Sequence, residues 1–159
     1  SFHVTGVQTC ALPISPATIT RLIDMGIEPF LVSSSIIGVL AQRLVRHICP
    51  DCRKSYQPHP EQLRELGIKE VSFRKLDRRF FRGDGCDNCR QTGYRGRIGI
   101  HELLVMSEGV KNTILESSDS DTIKKQGLKE KMITLRRDGV NKILHGLTTA
   151  EEILTITSE

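Results

Sequence analysis

Four cysteines fall in two matched pairs, Cys49-Pro50-Asp51-Cys52 and Cys86-Asp87-Asn88-Cys89. A C-x-x-C pair lets two thiolates reach one ion from a tight turn, and two pairs complete a tetrahedral shell of sulfur. Cys49, Cys52, Cys86 and Cys89 are therefore the predicted ligands of one zinc ion. Four thiolates leave no open position for water or substrate, so the chemistry is structural and not catalytic. Iron also accepts four thiolates, and residue types alone do not separate the two metals. A dithiol redox site is the weaker reading, because nothing around the pairs is thioredoxin-like. The 33 residues between Cys52 and Cys86 exceed the ~15–20 of a common zinc ribbon. A helix inserted at 60–66 accounts for part of the excess. Closing such a loop costs chain entropy, which metal binding offsets. His47 precedes Cys49 by two positions and reads as a strand residue, the shell being already filled. Arg53, Lys54, Arg90 and Arg95 lie on or near the pairs and are expected to offset the charge of a tetrathiolate.

The elements that position the pairs follow from periodicity and punctuation. Ser15 or Pro16 opens a helix that runs through Asp24, with Ile19, Leu22 and Ile23 on one face and Gly26 as its stop. Pro29 suits the first position of a second helix through Phe30, Leu31, Ile36 and Ile37. Val39 to Ile48 is read as a strand that delivers the chain to Cys49. Pro60 to Leu66 forms a short helix ended by Gly67. Asp84-Gly85 and Gly93-Tyr94-Arg95-Gly96 are turns, and Arg97 to Met106 is a strand leaving the cysteines. Ser107 caps a helix from Glu108 to Leu115, Asp121 begins another, and Met132 to Leu144 forms a third, ended by Gly146. Thr149-Ala150-Glu151-Glu152 reads as a capping box: the Thr149 hydroxyl accepts from the Glu152 amide while the Glu152 carboxylate reaches back. Ile153, Leu154 and Ile156 then face inward.

The totals bound what this chain can do. Its 159 residues allow one ordinary domain or two small ones. Hydrophobic residues make up 38%, aromatics 4%, and Trp is absent, so the core gains from an extra constraint such as a metal. No run of ~18 apolar residues predicts a membrane span, and no convincing secretory signal precedes the fold. The expected location is cytoplasmic, where thiols stay reduced. Net charge is +4, which does not by itself establish a nucleic-acid partner. Within 69–82, Lys69, Arg74, Lys75, Arg78, Arg79 and Arg82 oppose Glu70 and Asp77. This stretch reads as a solvated face on which a partner can dock. Phe73, Phe80 and Phe81 lie within it, which gives a second reading: a free-standing zinc module binding nucleic acid or a protein partner. Cations would neutralise phosphates and rings would stack on bases. The pI of 8.9 and the acidic Glu116, Asp119 and Asp121 weigh against it, and no nucleic acid is expected. Residues 1–15, which include Cys10, carry no clear periodicity. From Val4 to Ile14 they look like the translation of a sequencing-adapter oligonucleotide, and they are expected to be foreign to the protein.

The segments ATITRLIDMGIEPF (17–30), VLAQRLVR (39–46), TGYRGRIGIHEL (92–103), both cysteine pairs and the tail 135–156 resemble type II secretion ATPases. Type IV pilus assembly ATPases share much of this pattern. The run QRLVR-x2-CPxC followed by GCxxC-x2-TGYxGRxGIxEL is specific, and the resemblance covers residues 16–159. It implies an α/β fragment: the end of a RecA-like P-loop ATPase core (16–48), a tetracysteine zinc-binding subdomain (49–96), and a returning strand with a C-terminal helical bundle (97–159). It implies a parent that is a homohexamer, uses ATP and Mg, and works at the inner membrane through secretion platform proteins to drive pseudopilus assembly. Arg43 and Arg97 recur in the family motifs. They are expected to face nucleotide or a neighbouring subunit, or else to brace the fold. The chain departs from the family in having no G-x-x-x-x-G-K-[ST] and no acidic or histidine box upstream of Ala17. No phosphate cradle follows. No catalytic residue is assigned, and the fragment alone is not expected to hydrolyse ATP.

Overall fold

A computed structural model describes residues 15–70, 73 and 78–157. Residues 1–14, with Cys10, and Arg74, Lys75 and Asp77 of the basic stretch lie outside the described residues. The elements in chain order are α1 (Ser15–Asp24), α2 (Pro29–Ser35), β1 (Gly38–Ile48) and β2 (Arg53–Tyr56), followed by α3 (Pro60–Glu65), β3 (Phe80–Gly83) and β4 (Tyr94–Val105). Then come α4 (Glu108–Glu116), α5 (Ser120–Lys129), α6 (Leu135–Leu144) and α7 (Ala150–Thr157). This is a mixed α/β fold. Among the described residues no helix is long and apolar enough to cross a membrane.

Local chemistry explains most boundaries. α1 closes at Gly26, whose φ is +90°. Pro29 occupies the start of α2 as expected, but the helix ends at Ser35, before Ile36 and Ile37. The hydroxyls of Ser33 and Ser34 donate back to the carbonyls of Phe30 and Leu31, a competition that weakens a short helix. β4 begins at Tyr94, earlier than expected, because the turn lies ahead of it, where Arg90, Gln91 and Gly93 take positive φ. Gly96, with φ +79°, kinks the strand from within, as interior glycines do. The Ser107 hydroxyl caps α4 by accepting from the Val110 amide at 3.1 Å. Asp119 caps α5 by accepting from the Thr122 amide at 2.9 Å, so that helix opens at Ser120.

α6 starts at Leu135 and not at Met132. Lys131 takes φ +68°, and the Met132 amide donates to Gly127 O at 2.9 Å, so both residues belong to the end of α5. The expected capping box at α7 forms by half. The Thr149 hydroxyl accepts from the Glu152 amide at 3.4 Å. The Glu152 carboxylate turns away and accepts from the Arg46 amide at 2.9 Å and its guanidinium at 2.6 Å. Ile153 is buried, Leu154 packs at the core margin, and Ile156 stays 37% exposed, outside the expected inward face.

β1 pairs with β4, and β2 pairs with β3. The chain divides into two compact units, and the division crosses both β1 and β4. One unit takes residues 15–41 and 103–132. In it α1 packs on α5 and α2 on α4, over a core of Ile19, Val32, Leu104, Met106, Val110, Ile114 and Ile123. The other unit takes the described residues of 42–102 and 133–157. There α6 packs on α7, and Val45, Leu63, Phe80, Ile100, Ile143 and Ile153 form the centre of the core. Phe80 meets Phe73 edge to face with ring centroids 5.3 Å apart.

Candidate metal centre

Cys49 follows directly on β1, and a single 3-10 turn over Pro50–Cys52 carries the chain to the second sulfur. The second pair follows β3 and sits on an equivalent 3-10 turn over Asp87–Cys89. Pairing of β2 with β3 is what closes the long intervening loop. The strands are antiparallel with Arg53 opposite Gly83 and Tyr56 opposite Phe80. The residue after Cys52 therefore lies beside the chain that is about to reach Cys86. The Asp84 amide extends the link by donating to Cys52 O at 3.1 Å, and the Cys49 amide donates to Gly93 O at 2.9 Å.

The four Sγ atoms lie within 4.8 Å of one another. Cys49 and Cys86 are 3.8 Å apart, Cys52 and Cys89 3.9 Å, and Cys86 and Cys89 3.7 Å. Four sulfurs at ~2.3 Å from one tetrahedral zinc would be separated by about 3.8 Å. A disulfide would need ~2.05 Å, and all four cysteines are free. The cluster is thus sized to hold a metal ion. Two backbone amides, Cys86 N and Gly93 N, each donate to Cys89 Sγ at 3.2 Å. Burial raises the Cys89 thiol, but these amides and the neighbouring thiols outweigh it and bring it down to about 6. Cys52 goes the other way: burial and contacts with the other three thiols push it up to about 12, against the help of the Gly85 amide. A cation that replaces the thiol protons relieves this inequality.

Around the sulfurs lies a layer that spacing alone does not reveal. Asn88 Nδ2 donates to Asp51 Oδ2 at 2.9 Å, joining the two turns. Thr92 Oγ1 donates to Cys89 O at 2.6 Å. Asp51 and Asn88 each hold the third position of their pair, and that equivalence was the readable signal. Gly83 and Gly93 pass so closely that a Cβ on Gly83 would sit 2.1 Å from Gly93 O. The expected charge compensation by nearby cations takes a different form. Lys54 pairs with Asp84 at 2.6 Å and Arg95 with Asp51 at 3.5 Å. Arg53 donates to Gly146 O at 3.4 Å and lies over the Phe81 ring. Their partners are carboxylates and a carbonyl, not sulfur. His47 is half-buried on β1 and is not part of the sulfur cluster.

Arg43 is half-buried on β1 and Arg97 is exposed on β4, and neither joins the cysteines. Phe73 and Phe80 are core residues and cannot serve as stacking platforms for bases. Arg46, which the sequence did not single out, lies 4.0 Å over the Tyr94 ring, and the Tyr94 hydroxyl meets Thr149 Oγ1 at 3.0 Å. The chain reaching and leaving the cysteine turns is thereby tied to the start of α7.

Comparison with known proteins places this centre in context. Residues 13–155 match the family described as type II/IV secretion system protein. The chain is 48% identical over 141 residues to the type II secretion system protein E of Aeromonas hydrophila, a match that covers 89% of this chain and 27% of that protein. It is 45% identical to the type IV pilus assembly ATPase PilB of Thermus thermophilus, over 89% of this chain and 16% of the relative. The type II secretion system ATPase E of Vibrio cholerae is 42% identical, over 89% and 27%. The chain thus spans between about a sixth and a quarter of the length of these relatives. A match over nearly the whole described chain, with both cysteine turns inside it, shows that the chain belongs to the type II/IV secretion system protein family.

Proposed function

We propose that this chain is the C-terminal part of a hexameric motor ATPase that powers pseudopilus or pilus assembly, and that its four cysteines hold a structural zinc ion. The observation that carries the reading is the 42–48% identity to secretion and pilus ATPases over 89% of the chain. The tetrathiolate spacing supports zinc. In this reading residues 16–48 end a RecA-like core, 49–96 are the zinc subdomain and 97–159 supply the returning strand and C-terminal helices. ATP and Mg bind the part of the parent that carries the phosphate cradle, which this sequence lacks. The guanidinium groups of Arg43 and Arg97 make no hydrogen bond or ion pair among the described residues, which suits them to a nucleotide or a neighbouring subunit. Leu40, Leu103, Val105 and Phe30 are exposed, an apolar surface that more of the longer protein would cover. The parent acts on the cytoplasmic side of the inner membrane through platform proteins.

Two measurements test this. Purified chain should carry about one zinc per molecule and turn over no ATP. Steady turnover that survives removal of contaminating ATPase would overturn the assignment of hydrolysis to the rest of the parent. Residues 16–159 grafted into the Aeromonas relative in place of its matching segment should retain ATPase activity. Arg43→Ala and Arg97→Ala in that graft should each lower the rate about tenfold or more, as loss of a charge-stabilising donor does. An inactive but folded and hexameric graft would sink the family-wide role.

A further inference from the structure

A second concave site lies in the unit of residues 42–102 and 133–157 and shares no residue with the sulfur cluster. It encloses about 510 Å³ and is lined by Arg78, Arg79, Phe81, Asn141, Leu144 and His145. That volume is in the range of pockets that hold several side chains at once. Among the described residues no carboxylate lines it. Arg78 and Arg79 are exposed, and among the described residues their guanidinium groups make no hydrogen bond or ion pair.

The arginines are not spent on the neighbouring helix end. The last carbonyls of α6 already have donors: His145 Nδ1 and the His145 amide reach Asn141 O at 2.6 and 3.1 Å. The Gly146 and Leu147 amides reach Ile143 O and Lys142 O. The apolar floor is fixed as well. A Cβ on Gly146 would lie 2.9 Å from the Phe81 ring, and Arg53 covers that ring with its guanidinium 5.2 Å from the centroid. Two arginines without an ion-pair partner among the described residues therefore border an apolar patch of Phe81 and Leu144.

We propose that this cleft docks an acidic peptide segment of a partner protein, with carboxylates on Arg78 and Arg79 and an apolar side chain against Phe81 and Leu144. A guanidinium presents a planar fork that matches a carboxylate bidentately. The helix end at this cleft is the C-terminal one, whose partial negative charge disfavours any anion, so the two guanidinium groups must carry the recognition. The proposal stands independently of the motor reading, since it uses no nucleotide and no metal.

The test is fluorescence anisotropy on the full chain, titrated into a labelled peptide of sequence Glu-Asp-Leu-Glu-Phe-Asp. Saturable binding is expected, weaker in 200 mM than in 50 mM salt because the pairs are exposed. Arg78→Gln with Arg79→Gln should weaken it by about fivefold or more, the size of two surface ion pairs. Arg137→Gln, on the exposed face of α6, should leave it unchanged, and thermal melts verify that each variant is folded. Absence of saturation at millimolar peptide, or equal affinity in the double variant, overturns the proposal. So does tighter binding of a single-stranded oligonucleotide lost in the same variant, which assigns the cleft to nucleic acid. Self-association in sedimentation that the double variant abolishes gives the cleft to a second copy of this chain, and also overturns it.

Discussion

Glu152 accepts three hydrogen bonds from Arg46, one from its amide and two from its guanidinium. Burial raises the Glu152 carboxyl, but the Arg46 donors outweigh it and hold the group below the usual carboxylate range. A carboxyl depressed in the folded state contributes stability that is full above its unfolded value, near ~4.3, and is lost as pH falls through the folded value. Arg46 is 56% exposed and Glu152 14%, so solvent screens the pair and its contribution is about 1 kcal/mol. Glu152→Gln should cost that much in urea melts at pH 7, and the two proteins should converge as pH falls through the depressed folded value. A gap that persists once the carboxyl is protonated in the folded protein would assign the effect to packing. Gly83 makes a steeper case. Its added methyl would meet Gly93 backbone at 2.1 Å, and neither strand can retreat without moving Cys86 or Cys89. Gly83→Ala should cost about 2–3 kcal/mol, as overpacking does, and should also weaken zinc retention in a chelator competition. Unchanged retention would show that the crossing has slack.

Helix ends show what short-range rules reach and where they stop. Gly26, Gly67 and Gly146 each close a helix with positive φ. In each case the next amide reaches the carbonyl five residues back: Ile27 to Leu22, Ile68 to Leu63, Leu147 to Lys142. The surroundings differ. Gly67 faces open space, while Gly146 lies against Phe81 and Arg53. Gly67→Ala should therefore cost the left-handed penalty alone, about 1 kcal/mol, and Gly146→Ala clearly more. Equal losses would mean that Phe81 yields freely. Lys131 does the same work at φ +68°, so Lys131→Gly should stabilise by about 1 kcal/mol in the same melts. These positions also account for what the sequence revealed. The glycine stops, Pro29 and the Ser107 cap are local signals, and the elements they bound were readable. Lys131 carries no such signal, and the start of α6 was consequently misjudged. The cysteine set was readable because its period is internal to each pair. The β2–β3 pairing, the Gly83–Gly93 crossing and the Arg46–Glu152 bond join residues ten to more than a hundred positions apart, where no periodicity operates.

At the scale of the whole chain, the two compact units differ in how they are held. The unit of residues 15–41 and 103–132 closes over Ile19, Val110, Ile114 and Ile123, and no sulfur of the cluster belongs to it. The other unit contains all four cysteines, and besides the sulfurs the turns that carry them are joined by the short β2–β3 ladder, the Asp84 amide to Cys52 O, Asn88 and Arg95 to Asp51, and the Gly93 contacts. Four thiolates left without a cation would repel one another or take up protons, and either outcome weakens those turns. Chelation at neutral pH should therefore release zinc with proton uptake and raise amide exchange first at 49–56 and 80–93. The core amides of α6 should follow by a smaller factor, because Ile143 and Phe80 share one apolar cluster. The amides of α4 and α5 should keep their protection, since opening there is governed by their own apolar contacts. Exchange that rises equally in both units would mean that the metal holds the entire chain together, and that the division into two units does not extend to their stability. Exchange that rises nowhere would remove the structural role from the four cysteines, and the zinc assignment with it.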